Sequence, residues 1–336
     1  MLKLPLVSVE MITYNHAPYI AQAIEGVLSQ KTDFPYELVI GEDCSTDGTR
    51  EIVFRYAEAH PDFIRLVTSK SNVGSDANSR RTSEACRGKY IAWCEGDDYW
   101  HREDKLQLQV NYLDSHAECG LVCADYDVLH AETGKRIQSF LKHRRVQVPE
   151  QFSVYSFLGS GNPTFLITKT CTIVARRDLV EKIKSRDPYL HRSGRFQMGD
   201  TQLWAEMAEV STIHFIDESL ATHRILKNSM SNTVDPIKKA RFVLSCYELT
   251  AYLCEKYNVD RLTKCYHDEL VSHHLLRTAF LERNIDLARQ FRARRNKLTF
   301  KEFLMYHSIK NKTTHRALKT LLHLKSIGKT NYQPWN

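Results

Sequence analysis

Apolar residues along the first 125 positions recur in two alternating rhythms. LVSVEMI (6 to 12) is a β-rich run that stops at TYNHAP, and YIAQAIEGVLSQ (19 to 30) then repeats its apolar residues at helical spacing. ELVIGED (37 to 43) predicts a second strand, STDGT (45 to 49) a turn and helix cap, and REIVFRYAEAH (50 to 60) a second helix. FIRLVTS (63 to 69) predicts a third strand, residues 72 to 86 a loop and helix, and KYIAWC (89 to 94) a fourth strand. Strands and helices that alternate with short connections build a parallel α/β sheet. An amphipathic helix (102 to 116) and a strand (120 to 129) follow, and then a loop-like stretch to about residue 165. Residues 166 to 180 return to strand and helix, 200 to 209 form a helix, and STIHFIDESLATHRI (211 to 225) reads as a pair of strands. From Pro236 onward the pattern is helical.

Charge sharpens this division. Of the formal +7 carried by 336 residues, positions 236 to 336 hold 20 Lys and Arg against 8 Asp and Glu, a formal +12 that leaves −5 on the rest. A basic tail on an acidic body points to an anionic surface or to a solvated helical face. No apolar run approaches the roughly 18 residues of a spanning helix. The nine cysteines are scattered and form no paired CxxC cluster, which argues against structural zinc and for reduced thiols in a cytoplasmic chain.

Ligands bind beyond the carboxyl ends of strands in such sheets. Three strand ends therefore converge on one rim: Tyr14 and Asn15, Glu42 and Asp43, and the trio Glu95, Asp97 and Asp98. Carboxylates packed this densely repel one another and call for a cation, a pairing base or solvent. A divalent metal site, an acid–base pair, ribose acceptors and a solvated loop all remain open on the string alone.

The ordered segments PLVSVEMITYN, ELVIGEDCSTDGT, NVG with Arg80 and Arg81 behind it, and GKYIAWCEGDDYW resemble the motifs of glycosyltransferase family 2. The resemblance implies a GT-A fold, a three-layer α/β/α domain with a mostly parallel central sheet. It implies inverting transfer of a sugar from a nucleoside diphosphate, UDP foremost, and a Mn2+ or Mg2+ cofactor. Tyr14 matches the ring that stacks on the base, Asp43 the carboxylate on the base edge, and Arg80 or Arg81 a basic residue near the nucleotide. Asp97 matches the metal ligand. Glu95, where aspartate is usual, takes the ribose or the metal shell, and Asp98 orients the donor sugar or supports the loop.

QMGDTQLW (197 to 204) resembles the segment in which an aspartate at a helix start is the general base, which assigns Asp200; Gly199 stands where relatives carry a second acid. Asp200 is also suited to a helix N-cap. LATHRILKNSMS resembles the late segment that returns to the diphosphate or metal, through His223 or Arg224. Adjacent strand residues point to opposite sides, so one of the two, His223 by preference, is expected to face the site.

The resulting expectation is a catalytic domain over 1 to 233, with a nucleotide-sugar half (1 to 125) and an acceptor half (126 to 233), followed by a basic helical region (234 to 336). The expected acceptor is a saccharide or a lipid-linked molecule in surface polysaccharide or glycan synthesis, with the tail peripheral at the inner membrane face and no nucleic-acid partner. A sugar nucleotidyltransferase is disfavoured because TYNHAPYI has no glycine for a phosphate loop, and a non-catalytic scaffold because the altered acidic motif keeps its charge.

Overall fold

The computed structural model describes residues 4–158, 167–227, 229 and 233–326. Two compact units divide after Lys227. Among the described residues, the first carries a nine-stranded mixed sheet ordered β3 (Ile64–Thr68), β2 (Tyr36–Glu42), β1 (Val7–Thr13), β4 (Tyr90–Trp93), β8 (Val174–Arg176), β6 (Cys119–His130), β9 (Thr212–Ile225) and β5 (Tyr99–Trp100), with β7 (Arg136–Ile137) added to β6.

The first half of that sheet follows the alternating pattern closely. Strands β1 (Val7–Thr13), β2 (Tyr36–Glu42), β3 (Ile64–Thr68) and β4 (Tyr90–Trp93) are parallel, with Val9 opposite Leu38 and Ala92. Helices α1 (Ile20–Leu28), α2 (Thr49–Ala59) and α3 (Ser75–Ala85) connect them. β1, β2 and β4 are buried at nearly every position, polar Ser8, Glu10 and Glu37 included, as strands of a parallel sheet covered on both faces are. Val7, Val9, Met11, Leu38, Ile40 and Tyr90 are fully buried there, and α1 adds Ile20, Ile24 and Val27 to the same core.

The second half is partly antiparallel. β5 (Tyr99–Trp100) and α4 (Lys105–Ser115) precede β6 (Cys119–His130), and β7 (Arg136–Ile137) pairs with the end of β6. The stretch expected to be loop carries, besides β7, two short helices, α5 (Phe140–His143) and α6 (Val154–Leu158). Positions 159–166, part of the expected acceptor half, lie outside the described residues. A 3-10 turn (Thr170–Thr172) leads into β8 (Val174–Arg176), α7 (Arg177–Arg186), α8 (Pro188–Arg192) and α9 (Thr201–Val210). β8 runs antiparallel to both β4 and β6.

The expected strand pair over 211 to 225 is a single strand, β9 (Thr212–Ile225), parallel to β6. Its register jumps where Ala124 faces Ile216 and Asp125 faces Ser219, so Asp217 and Glu218 are extruded as a bulge. Those two polar residues mimicked a turn in the sequence. Past the bulge, β9 takes β5 on its other side, with Thr222 opposite Tyr99.

The second unit is helical: α10 (Pro236–Lys256), α11 (Arg261–Glu282), α12 (Ile285–Arg294), α13 (Phe300–Lys310) and α14 (Lys312–Ser326). Each of the first four begins at a side-chain cap, in turn Asp235, Asp260, Asn284 and Thr299, which accepts hydrogen bonds from the first free N–H groups. Its core holds Leu244, Val271, Leu275, Phe280, Phe291 and Ile309. Among the described residues no helix is long and apolar enough to cross a membrane.

Candidate active site

The loops after β1 and β2 are laced into one platform. Asn15 adopts a left-handed backbone (φ 56°), and its side-chain oxygen accepts from the Thr46 N–H at 2.9 Å while its own N–H donates to Ser45 Oγ at 3.1 Å. The N–H groups of His16 and Ala17 donate to Thr49 Oγ1 (2.7 Å) and Asp47 Oδ2 (3.0 Å). Burial pushes the Asp47 carboxyl up, but its hydrogen bonds from Thr49 and Ala17 prevail and hold it below its ordinary value. Tyr14 projects from this platform with 42% of its surface exposed, a ring available for stacking.

Asp43, at the end of β2, is buried and already engaged. Its carboxylate accepts from the Val73 and Gly74 N–H groups at 2.8 and 2.9 Å, so it fixes the NVG loop. Of the two arginines on α3, Arg81 turns inward: Nη2 donates to the Glu42 carbonyl at 2.9 Å and lies 3.5 Å from Asp43 Oδ1. Arg80 is exposed. Arg50 reaches the Glu42 carboxylate at 3.2 Å, and Ser45 N–H donates to its other oxygen at 2.6 Å.

The acidic loop after β4 is stitched to β1. Cys94 and Gly96 N–H groups donate to the carbonyls of Glu10 and Ile12, at 3.1 and 3.0 Å. A Cβ at Gly96 would stand 2.7 Å from Thr13 Oγ1 and 3.0 Å from His16 Nδ1, so the close approach needs glycine there. The three carboxylates then separate in character. Asp98 is buried and committed: the Arg224 N–H donates to Oδ1 at 2.7 Å, and His223 Nδ1 lies 3.2 Å from both oxygens. Burial raises the Asp98 carboxyl, but the His223 charge and hydrogen bond and the Arg224 N–H outweigh it and leave the group below its ordinary value.

Glu95 and Asp97 go the other way. Burial is the largest cause for both; Asp97, Asp98 and Asp200 then raise Glu95, against the opposing charge of Lys169, and Asp98 raises Asp97, against His16 and His223. Two half-buried carboxylates whose charged forms are disfavoured make a site that gains from a cation. Among the described residues no three His, Cys, Asp or Glu side chains converge into a metal cage, so Asp97, Glu95 and His223 do not form a closed three-ligand set. His223 is turned to Asp98 instead. Mg2+ and Mn2+ take hard oxygen ligands, and a phosphate-bound Mg2+ needs only one or two protein carboxylates. Asp97 and Glu95 fit that demand.

His223 and Arg224 both reach the acidic loop, contrary to the strand rule. The loop leads into β5, which pairs with β9 beside these residues; the His223 ring meets the Asp98 carboxylate and the Arg224 guanidinium donates to the Asp97 carbonyl at 2.6 Å. That guanidinium also bonds Gln22 and lies over the rings of Tyr99 and Tyr19, at 4.6 and 5.1 Å.

Asp200 caps α9: Oδ1 accepts from the Thr201 N–H at 2.7 Å, and Oδ2 accepts from Thr170 Oγ1 at 2.9 Å. It lies close enough to Glu95 to raise that group. Cap and site neighbour are thus one residue. His16, Lys169 and Thr170 were missed in the sequence; His16 alone carried a signal, as it follows Tyr14 and Asn15 in one motif.

The family model for glycosyl transferase family 2 matches residues 8–181. The chain belongs to glycosyltransferase family 2. Asp200, His223 and Arg224 lie beyond the matched stretch. An uncharacterised protein of Mycobacterium tuberculosis, Rv1520, is 40% identical over 191 residues, 55% of this chain and 52% of its own length. The chain thus spans about half the length of that relative. TuaG of Bacillus subtilis, a protein named for teichuronic acid biosynthesis, is 28% identical over 71% of this chain and 87% of its own. Among solved structures, TarS of S. aureus bound to UDP superposes with a TM-score of 0.55 at 16% identity, over 97% of this chain and 94% of that one. The mannosyltransferase PcManGT of Pyrobaculum calidifontis, bound to GDP-Man and Mn2+, gives 0.55 at 17%, over 98% and 89%. At such identities the likeness establishes the GT-A fold.

Proposed function

We propose that the chain transfers a sugar, with inversion, from a nucleoside-diphosphate donor, UDP foremost, to a hydroxyl of a saccharide or lipid-linked acceptor in surface polysaccharide synthesis. The observation that carries this reading is the gathering of the acidic loop after β4 and the α9 cap on one rim, where burial and then Asp97, Asp98 and Asp200 raise the Glu95 carboxyl. Tyr14 stacks on the base. Arg81, not Arg80, steadies the Asp43 corner that shapes the base pocket, and Asp98 with His223 and Arg224 holds the acidic loop. Asp97, with Glu95 beside it, would hold Mn2+ or Mg2+, which when bound neutralises charge building on the leaving diphosphate.

Asp200 takes the proton from the attacking hydroxyl. The acceptor oxygen bonds to the anomeric carbon as that carbon's bond to the phosphate oxygen breaks, the electron pair leaving on the nucleoside diphosphate. Thr170 and the Thr201 N–H hold the Asp200 carboxylate in place for that transfer. The reading places the chain in the cytoplasm, with its basic C-terminal region toward an anionic leaflet.

Donor turnover with UDP-sugars, with and without EDTA, tests the proposal. Asp200→Asn is expected to lower kcat about 10²–10⁴-fold and leave UDP affinity unchanged. Asp97→Asn is expected to weaken UDP binding in Mn2+ and not in EDTA. Turnover that survives both EDTA and Asp97→Asn removes the metal assignment, and full turnover in Asp200→Asn removes the base. Stabilisation by no nucleotide sugar favours a scaffold.

A further inference from the structure

Helix α13 is buried on one side only. Met305, Tyr306 and Ile309 pack into the helical unit's core, while Phe300, Phe303 and Leu304 are 78%, 48% and 38% exposed. Positions i, i+3 and i+4 share a helix face, so these three form one apolar patch at the start of the helix. The patch is rigid: Thr299 and Glu302 close a capping box around the first turn.

Its surroundings are strongly basic. Residues 292 to 319 hold nine Lys and Arg and one acidic residue, Glu302. That single carboxylate is turned to the cap and to Arg295, at 3.8 Å. Lys297 and Lys301, on either side of Phe300, are exposed and pair with no carboxylate among the described residues.

We infer that the first turn of α13 inserts Phe300, Phe303 and Leu304 into the interface of an anionic lipid bilayer while Lys297 and Lys301 meet the headgroups. Exposed apolar side chains bury at the headgroup–acyl boundary, and the lysines beside them are drawn to anionic lipid. Charge complementarity chooses this occupant over a second copy of the chain, since two surfaces this basic repel one another. The wedge ends in an aliphatic Leu304, which favours acyl chains over stacked bases. The inference deepens the lipid-linked acceptor reading and rests on it for its purpose; the test is read without donor, so either can fail alone.

The full chain is floated with vesicles of phosphatidylcholine, with and without phosphatidylglycerol, at low and high salt. Flotation with anionic vesicles only, weakened by salt, is expected. Phe300→Ser with Phe303→Ser is expected to cut it roughly tenfold or more, and so is Lys297→Glu with Lys301→Glu, both pairs keeping the wild-type circular dichroism and Tm. Equal flotation with neutral vesicles overturns the inference, as does anionic flotation untouched by either double substitution. A dimer in sedimentation velocity that the serine pair splits, or single-stranded RNA bound in place of vesicles, overturns it in favour of that partner.

Discussion

Lys105 opens α4 on the buried side of the acidic loop, and its removal is expected to stabilise the protein. The side chain is fully buried; Nζ donates to Gln109 Oε1 at 2.7 Å and sits 4.2 Å from the centre of the Trp100 ring. Among the described residues no carboxylate pairs with it, and a helix N-terminus further disfavours a cation. Burial pushes the amine down from 10.5 to about 7, with Cys94 and Cys171 opposing weakly. Between about pH 7 and 10.5 the unfolded chain therefore binds one proton more than the folded chain, and stability rises with pH through that window at about 1.4 kcal/mol per unit. Below pH 7 the whole cost applies, about 5 kcal/mol. At pH 7.5 about 4 kcal/mol of it remains. Lys105→Met keeps the length and removes that cost, but it leaves Gln109 Oε1 unpaired at about 1–2 kcal/mol. The expected net gain is about 2–3 kcal/mol at pH 7.5. Urea unfolding followed by tryptophan fluorescence reads it, because Trp93, Trp100 and Trp204 all lie in the first unit. The advantage must shrink by about 1.4 kcal/mol for each pH unit up to 10. A variant less stable at pH 7.5, or an advantage that does not move with pH, refutes the reasoning.

Other substitutions probe the framework of the site. Ser8→Ala removes a buried hydroxyl that donates to Glu37 (2.7 Å) and accepts from the Arg87 and Gly88 N–H groups (2.9 and 2.8 Å), so a loss of about 2–3 kcal/mol is expected in urea unfolding; a loss under 1 kcal/mol counts against the network. Gly26→Ala gains about 1 kcal/mol of helix propensity but drives a Cβ to 2.6 Å from the Trp100 carbonyl, backbone that cannot swing aside. A lowered Tm is expected, and an unchanged or raised one rejects the contact. For Glu37, burial raises the carboxyl, but the hydrogen bonds from Arg87 and Ser8 prevail and lower it. Its contribution is therefore present above pH 4.5 and lost as pH falls through the lowered folded value, and Glu37→Gln should flatten the stability profile below pH 4.5.

The parallel half of the sheet was legible because its strands are rich in apolar and β-branched residues, despite buried polar ones such as Ser8, Glu10 and Glu37, with helical periods between them. The other half was less legible for local reasons. β5 is two residues long and has no period, and β9 carries Asp217 and Glu218 in a bulge that reads as a turn. Charge misleads in the same way inside α4. Lys105 and Gln109 sit four residues apart on the face that buries Leu106 and Val110, yet both look like surface positions in a pattern of polar and apolar letters.

The acidic trio shows what geometry adds to a motif. By letter, Glu95, Asp97 and Asp98 are three equal carboxylates, and alternation along β9 allowed one contact from either His223 or Arg224. In the fold both residues reach the loop, and Asp98 accepts the Arg224 N–H and faces the His223 ring, so its charge is spent inside the protein. Asp98 is therefore the carboxylate that His223 and the Arg224 N–H keep ionised, whereas burial holds Glu95 and Asp97 toward their neutral forms, aided at Glu95 by Asp97, Asp98 and Asp200 and at Asp97 by Asp98. A cation and the nucleotide's phosphates have the most to offer where the protein has provided least. That asymmetry supports the proposed donor role of the Glu95–Asp97 pair, while Asp98 ties the loop to β9.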